Sequence, residues 1–156
     1  MTEKIRLTIN GVSVRVNRGA TVLEAAQAAG VYIPTLCADP DLEPYGSCRL
    51  CVVEIEGMRG LPTACTTPAT DGMVVHTETP ATNEVRRTAI ELLLANHPLD
   101  CLTCPKNQRC ELQKVAAYLG ITERRFPHTD RTFEIDTSNP FFDLDRNYCI
   151  LCARCV

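Results

Sequence analysis

A chain of 156 residues with no Trp, four Phe, four Tyr and ten Cys has little aromatic bulk for a core, and lobes this poor in large side chains need a staple, either disulfides or metal. Sixteen basic against nineteen acidic residues give a net charge of −3 with no basic stripe, so the electrostatic footprint of a nucleic-acid binder is missing. Met1 to Arg6 contains no apolar h-region, and the longest apolar run, Leu92 to Ala95, is far short of a membrane span.

Those features predict a cytoplasmic protein, where stable disulfides are disfavoured and cysteine spacing becomes a metal or redox argument. Arg86-Arg87 and Arg124-Arg125 read as isolated, solvated surface pairs.

Ile5, Leu7 and Ile9 alternate with polar residues, as do Val12, Val14 and Val16. Asn10-Gly11 between them predicts a tight β-hairpin. Thr21 and Glu24 form a capping-box pattern ahead of an Ala-rich run that Gly30 should end, which predicts a helix. Residues 34 to 50 are punctuated by Pro34, Pro40, Pro44 and Gly46 and read as a loop. A strand over 51 to 56 should turn at 57 to 60 towards a shorter strand ending at Cys65, and 73 to 76 reads as a last strand. Thr79-Pro80 opens a helix to about residue 96, with Val85, Ala89, Leu92, Leu93 and Asn96 sharing one face. A second helix is expected from Cys110 to Leu119, stopped by Gly120. Residues 121 to 140 carry little pattern, and Ser138-Asn139-Pro140 reads as a linker.

Ten cysteines and one histidine fall into three sets. The densest is His97, Cys101, Cys104 and Cys110, spaced H-x3-C-x2-C-x5-C, with both thiolates of the Cys-x2-Cys able to face one side of a turn. Such thiolate-rich ligation selects zinc, copper(I) or iron–sulfur clusters over hard ions. A His at a helix C-terminus is ordinarily a dipole-stabilising surface residue, but three flanking cysteines reverse that prior. Zinc and a 4Fe–4S cluster both remain open for this set. His76 and His128 lack cysteine neighbours and read as ordinary.

Cys37, Cys48, Cys51 and Cys65 are spaced C-x10-C-x2-C-x13-C, and a 2Fe–2S cluster needs four thiolates. The plant-type spacing is not met, because the first gap is longer. A four-cysteine zinc site is the competing reading, although structural zinc prefers two compact Cys-x2-Cys pairs. Cys149, Cys152 and Cys155 open the run C-x2-C-x2-C-x3-C-P of bacterial ferredoxins without its fourth cysteine. Two complete clusters are therefore expected, with a third absent, labile or completed from outside. Without that cluster, the segment after about residue 140 is expected to be mobile, and the sequence is expected to be a fragment of a longer polypeptide.

In that order the motifs resemble the N-terminal iron–sulfur region shared by four groups. These are the large iron–sulfur subunit of NADH:quinone oxidoreductase, FeFe hydrogenases, the diaphorase small subunit of NAD-reducing hydrogenases and the alpha subunit of NAD-dependent formate dehydrogenases. The resemblance covers essentially all 156 residues. Gly46-Ser47-Cys48-Arg49-Leu50-Cys51 and the stretch from Asn139-Pro140-Phe141 to Cys155 look most like the formate dehydrogenase branch.

The resemblance implies an α+β chain in three parts. Residues 1–78 would be a β-grasp 2Fe–2S ferredoxin domain ligated by Cys37, Cys48, Cys51 and Cys65. Residues 79–125 would be a small helical 4Fe–4S domain ligated by His97, Cys101, Cys104 and Cys110. Residues 126–156 would be a linker and the start of a bacterial-type ferredoxin domain, with Cys149, Cys152 and Cys155 as partial ligands of a further 4Fe–4S cluster.

The chain has no GxGxxG and no catalytic dyad, so no catalytic site is expected in it. It reads as an electron relay between a flavin/NAD subunit and a catalytic centre of a multi-subunit oxidoreductase. The alternative is a zinc-stabilised interaction module with no redox role.

Overall fold

The computed structural model describes residues 3–129 and 131–155. Strands β1 (Lys4–Ile9) and β2 (Val12–Asn17) pair antiparallel with Ile9 opposite Val12. Asn10 and Gly11 both have positive φ, 48° and 82°, as a two-residue hairpin turn that matches the twist of its strands requires. Alternation then carries Ile5, Leu7, Ile9, Val14 and Val16 to one buried face.

Helix α1 (Val22–Ala28) starts with the expected capping box: Glu24 N–H donates to Thr21 Oγ1 at 3.2 Å, and Thr21 N–H donates to Glu24 Oε2 at 2.6 Å. Gly30, at φ 70°, follows the helix end. Val22, Leu23, Ala25 and Ala26 are buried in the core they share with the sheet.

Strand β3 (Glu54–Ile55) pairs antiparallel with β4 (Val74–His76), and β4 pairs parallel with β1. The sheet order is therefore β2-β1-β4-β3, a mixed sheet with few helices and an α+β architecture.

Two expectations need correction here. The strand expected over 51 to 56 shrinks to Glu54–Ile55, and the piece ending at Cys65 contributes only an isolated bridge, Val52 to Thr63. On one edge of the segment, the carbonyls of Leu50 and Val52 are taken by the distant Arg86 side chain and so are not free for a neighbouring strand. On the other edge, residues 62–64 supply only two backbone bonds, Ala64 N–H to Cys51 O and Val53 N–H to Pro62 O.

Helix α2 (Pro80–Asn96) has the expected ends, with Thr79 as N-cap and Pro80 in the first turn. Its buried face overlaps the expected one only in part: Ala89 and Leu93 pack against a core and Val85 is half-buried, but the fully buried positions are others. Thr82, Arg86, Ile90, Glu91 and Ala95 are buried, whereas Leu92 is 49% exposed and Asn96 is exposed. Polar residues with partners occupy this face, so an apolar count along the helix misses them. Thr82 Oγ1 donates to Thr77 O at 3.2 Å. Glu91, its side chain 3% exposed, faces Arg87 at 3.2 Å and Arg125 at 2.7 Å. The second contact is an ion pair without hydrogen-bond alignment.

Helix α3 (Glu111–Tyr118) ends at Leu119, with Gly120 at φ 63° beyond it. Leu112 and Val115 join Ile90, Leu36, Leu50, Cys37 and Cys48 in a second core. Among the described residues beyond α3 the chain is largely irregular, with one bridge between Asp136 and Leu144 and a single 3-10 turn over Arg146–Tyr148. Among the described residues, no helix is long and apolar enough to cross a membrane.

Candidate metal centres

The long loop between α1 and β3, which carries Cys37, Cys48 and Cys51, and the connection from β3 to β4, which carries Cys65, bring four buried cysteines into two pairs. Cys37 Sγ lies 3.3 Å from Cys48 Sγ, and Cys51 Sγ lies 3.4 Å from Cys65 Sγ. Both distances exceed the roughly 2.05 Å of a disulfide bond, and all four thiols are free.

The pairs are anchored in different cores: Cys51 and Cys65 in the sheet core, Cys37 and Cys48 in the core built with α2 and α3. Leu36 N–H points at Cys48 Sγ at 3.5 Å. Gly46, at φ 70°, and Arg49, at φ 58°, turn the loop so that Cys48 and Cys51 reach their partners. A Cβ at Gly46 would stand 3.3 Å from both Thr63 Oγ1 and Thr66 Cγ2, so the closeness of the loop to residues 63–66 also favours glycine there.

Burial pushes the Cys48 thiol above its ordinary value. The Cys51–Cys65 hydrogen bond, together with burial, pushes Cys51 up strongly, and that same bond pulls Cys65 down. Charge on Cys37 and Cys48 is also felt at Cys65, so the two pairs lie within electrostatic reach of each other. Occupation by a metal must displace the protons that this apolar setting favours, and affinity for metal therefore rises with pH.

In the second set, His97 caps α2 at its C-terminus and turns Nδ1 to the carbonyl of Pro98 at 2.7 Å. If Nδ1 carries the proton, Nε2 presents its lone pair, the arrangement typical of a histidine ligand with its other nitrogen held. Asp100 O gathers the N–H groups of Thr103 at 2.9 Å and Cys104 at 3.1 Å, which folds Cys101 and Cys104 into one turn. Lys106 N–H points at Cys104 Sγ at 3.4 Å. Gln108, at φ 64°, reverses the chain towards Cys110, the N-cap of α3. The Tyr148 ring meets the His97 ring edge-on at 5.9 Å, and its hydroxyl donates to Asp100.

In the third set, Cys149 and Cys155 are exposed and Cys152 is half-buried. Leu151 and Ala153 hold positive φ, 54° and 58°, and Leu151 N–H points at Cys149 Sγ at 3.4 Å. Burial opposes a Cys152 thiolate, but the Arg154 guanidinium at 3.5 Å outweighs it and holds the thiol below its ordinary range. Arg154 also reaches Asp39 at 3.6 Å, and Ser47 Oγ donates to Leu151 O at 3.4 Å, so this segment folds back on the loop of the first set.

Among the described residues, no three His, Cys, Asp or Glu side chains converge as ligands of one metal ion. The four cysteines of the first set meet as two pairs. His76 bonds Glu56 and His128 bonds the Ala95 carbonyl.

Sequence reasoning missed Arg86. It is fully buried, not solvated, with its donors on the carbonyls of Leu50 and Val52 and on Glu78. No local signal marks it, because the two carbonyls it holds lie more than thirty residues away. The other arginines of the two pairs are exposed, as expected.

The profile described as "2Fe-2S iron-sulfur cluster binding domain" matches residues 2–80. A second, described as "NADH-ubiquinone oxidoreductase-G iron-sulfur binding region", matches residues 86–125. The chain is 47% identical over 154 residues to an NADH-quinone oxidoreductase subunit of Rhizobium meliloti (strain 1021), covering 97% of this chain and 18% of that protein. It is 41% identical over 157 residues to the HndD subunit of the NADP-reducing hydrogenase of Solidesulfovibrio fructosivorans, covering 97% of this chain and 27% of that one. A crystal structure of NAD+-reducing [NiFe]-hydrogenase in the H2-reduced state superposes with a TM-score of 0.89 at 41% identity, over 97% of this chain and 64% of the hydrogenase chain. This chain spans about a fifth of the length of the NADH-quinone oxidoreductase relatives it matches.

Proposed function

The chain belongs, over residues 2–80, to the 2Fe–2S iron–sulfur cluster binding domain family, and from that premise we propose that it relays single electrons within a multi-subunit NAD-linked oxidoreductase. Its cofactors are a 2Fe–2S cluster in the first part and a 4Fe–4S cluster in the region that follows. Relatives that cover nearly all of it are subunits of NAD(P)-linked enzymes.

The proposed ligands of the 2Fe–2S cluster are Cys37, Cys48, Cys51 and Cys65. One observation carries this assignment: the four thiols form two separate buried pairs at 3.3 and 3.4 Å. A two-iron cluster takes two protein ligands on each iron, whereas one tetrahedral zinc draws four thiolates around a single point. The pairing therefore favours the electron carrier over the zinc-stabilised interaction module. His97, Cys101, Cys104 and Cys110 are the proposed ligands of the 4Fe–4S cluster. Cys149, Cys152 and Cys155 are proposed as partial ligands of a further one.

The hairpin, the crossing helix and the parallel β1–β4 pairing support a β-grasp ferredoxin domain over residues 1–78. We further propose a helical 4Fe–4S domain over 79–125, the opening of a bacterial-type ferredoxin over 126–156, and a cytoplasmic location.

When bound, such clusters accept and release one electron at a time. The residues of this chain supply the surroundings. Cys37, Cys48, Cys51 and Cys65 are screened from water within two cores. The Leu36 N–H aims its positive end at Cys48 sulfur, which favours negative charge there. His97 is held by the Pro98 carbonyl so that its free nitrogen has a fixed direction. The partners proposed for this relay are a flavin/NAD-binding subunit on one side and a catalytic subunit or domain on the other.

Anaerobic purification of two variants tests the assignment. Cys48→Ser should remove the 2Fe–2S EPR signal and spare the histidine-ligated cluster, and Cys104→Ser should do the reverse. Unchanged iron content and spectra in both would reject it, as would a colourless protein containing zinc.

A further inference from the structure

On α2, whose residues are all described, Arg86 is a charged side chain with no exposure to solvent. A guanidinium removed from water costs several kcal/mol unless its donors are satisfied. Here Nε donates to Leu50 O at 2.9 Å, Nη2 to Val52 O at 2.9 Å and Nη1 to Glu78 Oε1 at 2.9 Å. Leu50 and Val52 flank Cys51. Both carbonyls are turned to the same side, where the Arg86 guanidinium takes them. On the other side Cys51 O accepts from Ala64 N–H at 2.8 Å, and Val53 N–H donates to Pro62 O at 3.0 Å. One edge of this segment is thus paired with backbone and the other with a guanidinium fork.

We propose that Arg86 takes the place of a neighbouring strand along the Cys51 segment, and that its buried charge sets the electron affinity of the cluster this segment ligates. The inference rests on the assignment of Cys51 as a 2Fe–2S ligand. Arg86 is a positioning residue: it holds the ligand's backbone without touching the cluster. A positive charge fixed in a dry interior favours the reduced, more negative state of a nearby centre, and interaction at this depth is little screened by salt. Glu78, whose side chain is 44% exposed, partly neutralises it from the far side of the guanidinium. The planar fork is needed to span two carbonyls, and an ammonium cannot reproduce it.

The test is an EPR-monitored redox titration of the anaerobically purified chain. Arg86→Gln should lower the 2Fe–2S midpoint potential, because Glu78 is left uncompensated, and Glu78→Gln should raise it. Arg86→Lys keeps the charge without the fork, so it should lose its cluster faster than the wild type while shifting the potential less than Arg86→Gln does. Opposite shifts from the two members of one ion pair are a signature that loosened packing alone does not produce. If Arg86→Gln fails to hold its cluster, the half-exposed Glu78 still decides: an upward shift in Glu78→Gln supports the inference, and an unmoved potential overturns it. Shifts of the same sign in both variants also overturn it. A wild-type protein without any 2Fe–2S signal would instead remove the ligand assignment, and the inference with it.

Discussion

Replacing Ile90 with Ala tests whether α2 supports the first cysteine set. Ile90 is fully buried in the core that includes Leu36, Cys37, Cys48 and Leu50. The substitution deletes three carbons, worth about 2.4 kcal/mol at about 0.8 kcal/mol each. The cavity left behind adds to this, giving about 3 kcal/mol, within the usual range for Ile→Ala. Leu92, on the same helix, is 49% exposed. Leu92→Ala removes as many carbons but only half their burial, about 1 kcal/mol, and leaves no enclosed cavity. The difference of about 2 kcal/mol corresponds to roughly thirtyfold in an opening equilibrium. The assay is cluster loss to a chelator, followed by the decay of visible absorbance under anaerobic conditions. Ile90→Ala should release its 2Fe–2S cluster roughly thirtyfold faster than Leu92→Ala. Equal rates would refute the burial pattern, and a faster Leu92→Ala would restore the face expected from apolar periodicity.

A neutral imidazole in place of a thiolate removes a negative charge, so His97→Cys should lower the potential of the second cluster; an unmoved potential in the redox titration would show that His97 only caps its helix. Burial, then the hydrogen bond to Glu78, raises the Tyr118 phenol from 10.0 to about 12. The stability it contributes is complete below pH 10 and is lost as pH rises through about 12, so Tyr118→Phe should flatten that part of the thermal-stability profile. Iron analysis of the 156-residue chain should give about six iron atoms, two and four for the first two clusters; a stable ten would show that Cys149, Cys152 and Cys155 hold a complete third one.

Features governed by neighbours in sequence were legible from the residues alone. The Asn10-Gly11 turn, the Thr21–Glu24 box, the Gly30 stop and both ends of α2 all depend on backbone preferences within four residues. The grouping of Cys37, Cys48, Cys51 and Cys65 was legible as a count and a spacing. Their pairing, first with second and third with fourth, was not, because it depends on how the loop at Gly46 crosses residues 63–66. The buried face of α2 was read only in part, for one physical reason. Periodicity assumes that a buried position is apolar, and here Thr82, Arg86 and Glu91 are buried with partners supplied from other segments. Burial of Arg86 also removes one edge of the segment around Cys51 from strand pairing, which the sequence could not show.

The placement of the two thiol pairs bears on what metal does for this chain. Cys51 and Cys65 sit in the core under the sheet, whereas Cys37 and Cys48 sit in the core formed with α2 and α3. Each core is small, and few aromatic residues are present to enlarge either. A cluster ligated by both pairs would staple the cores to each other, so its binding free energy would also be folding free energy for the contact between them. Arg86 spans the same junction, running from α2 to the carbonyls on either side of Cys51. Perturbing either core should then loosen one half of the site while leaving the other half formed. Loss of the first cluster from Ile90→Ala should accordingly open the Cys37–Cys48 side first, with the hairpin and its core still folded. Hydrogen exchange that slowed equally throughout both cores on cluster binding would be expected of this staple. Protection confined to the sheet core would show that the pairs are not joined.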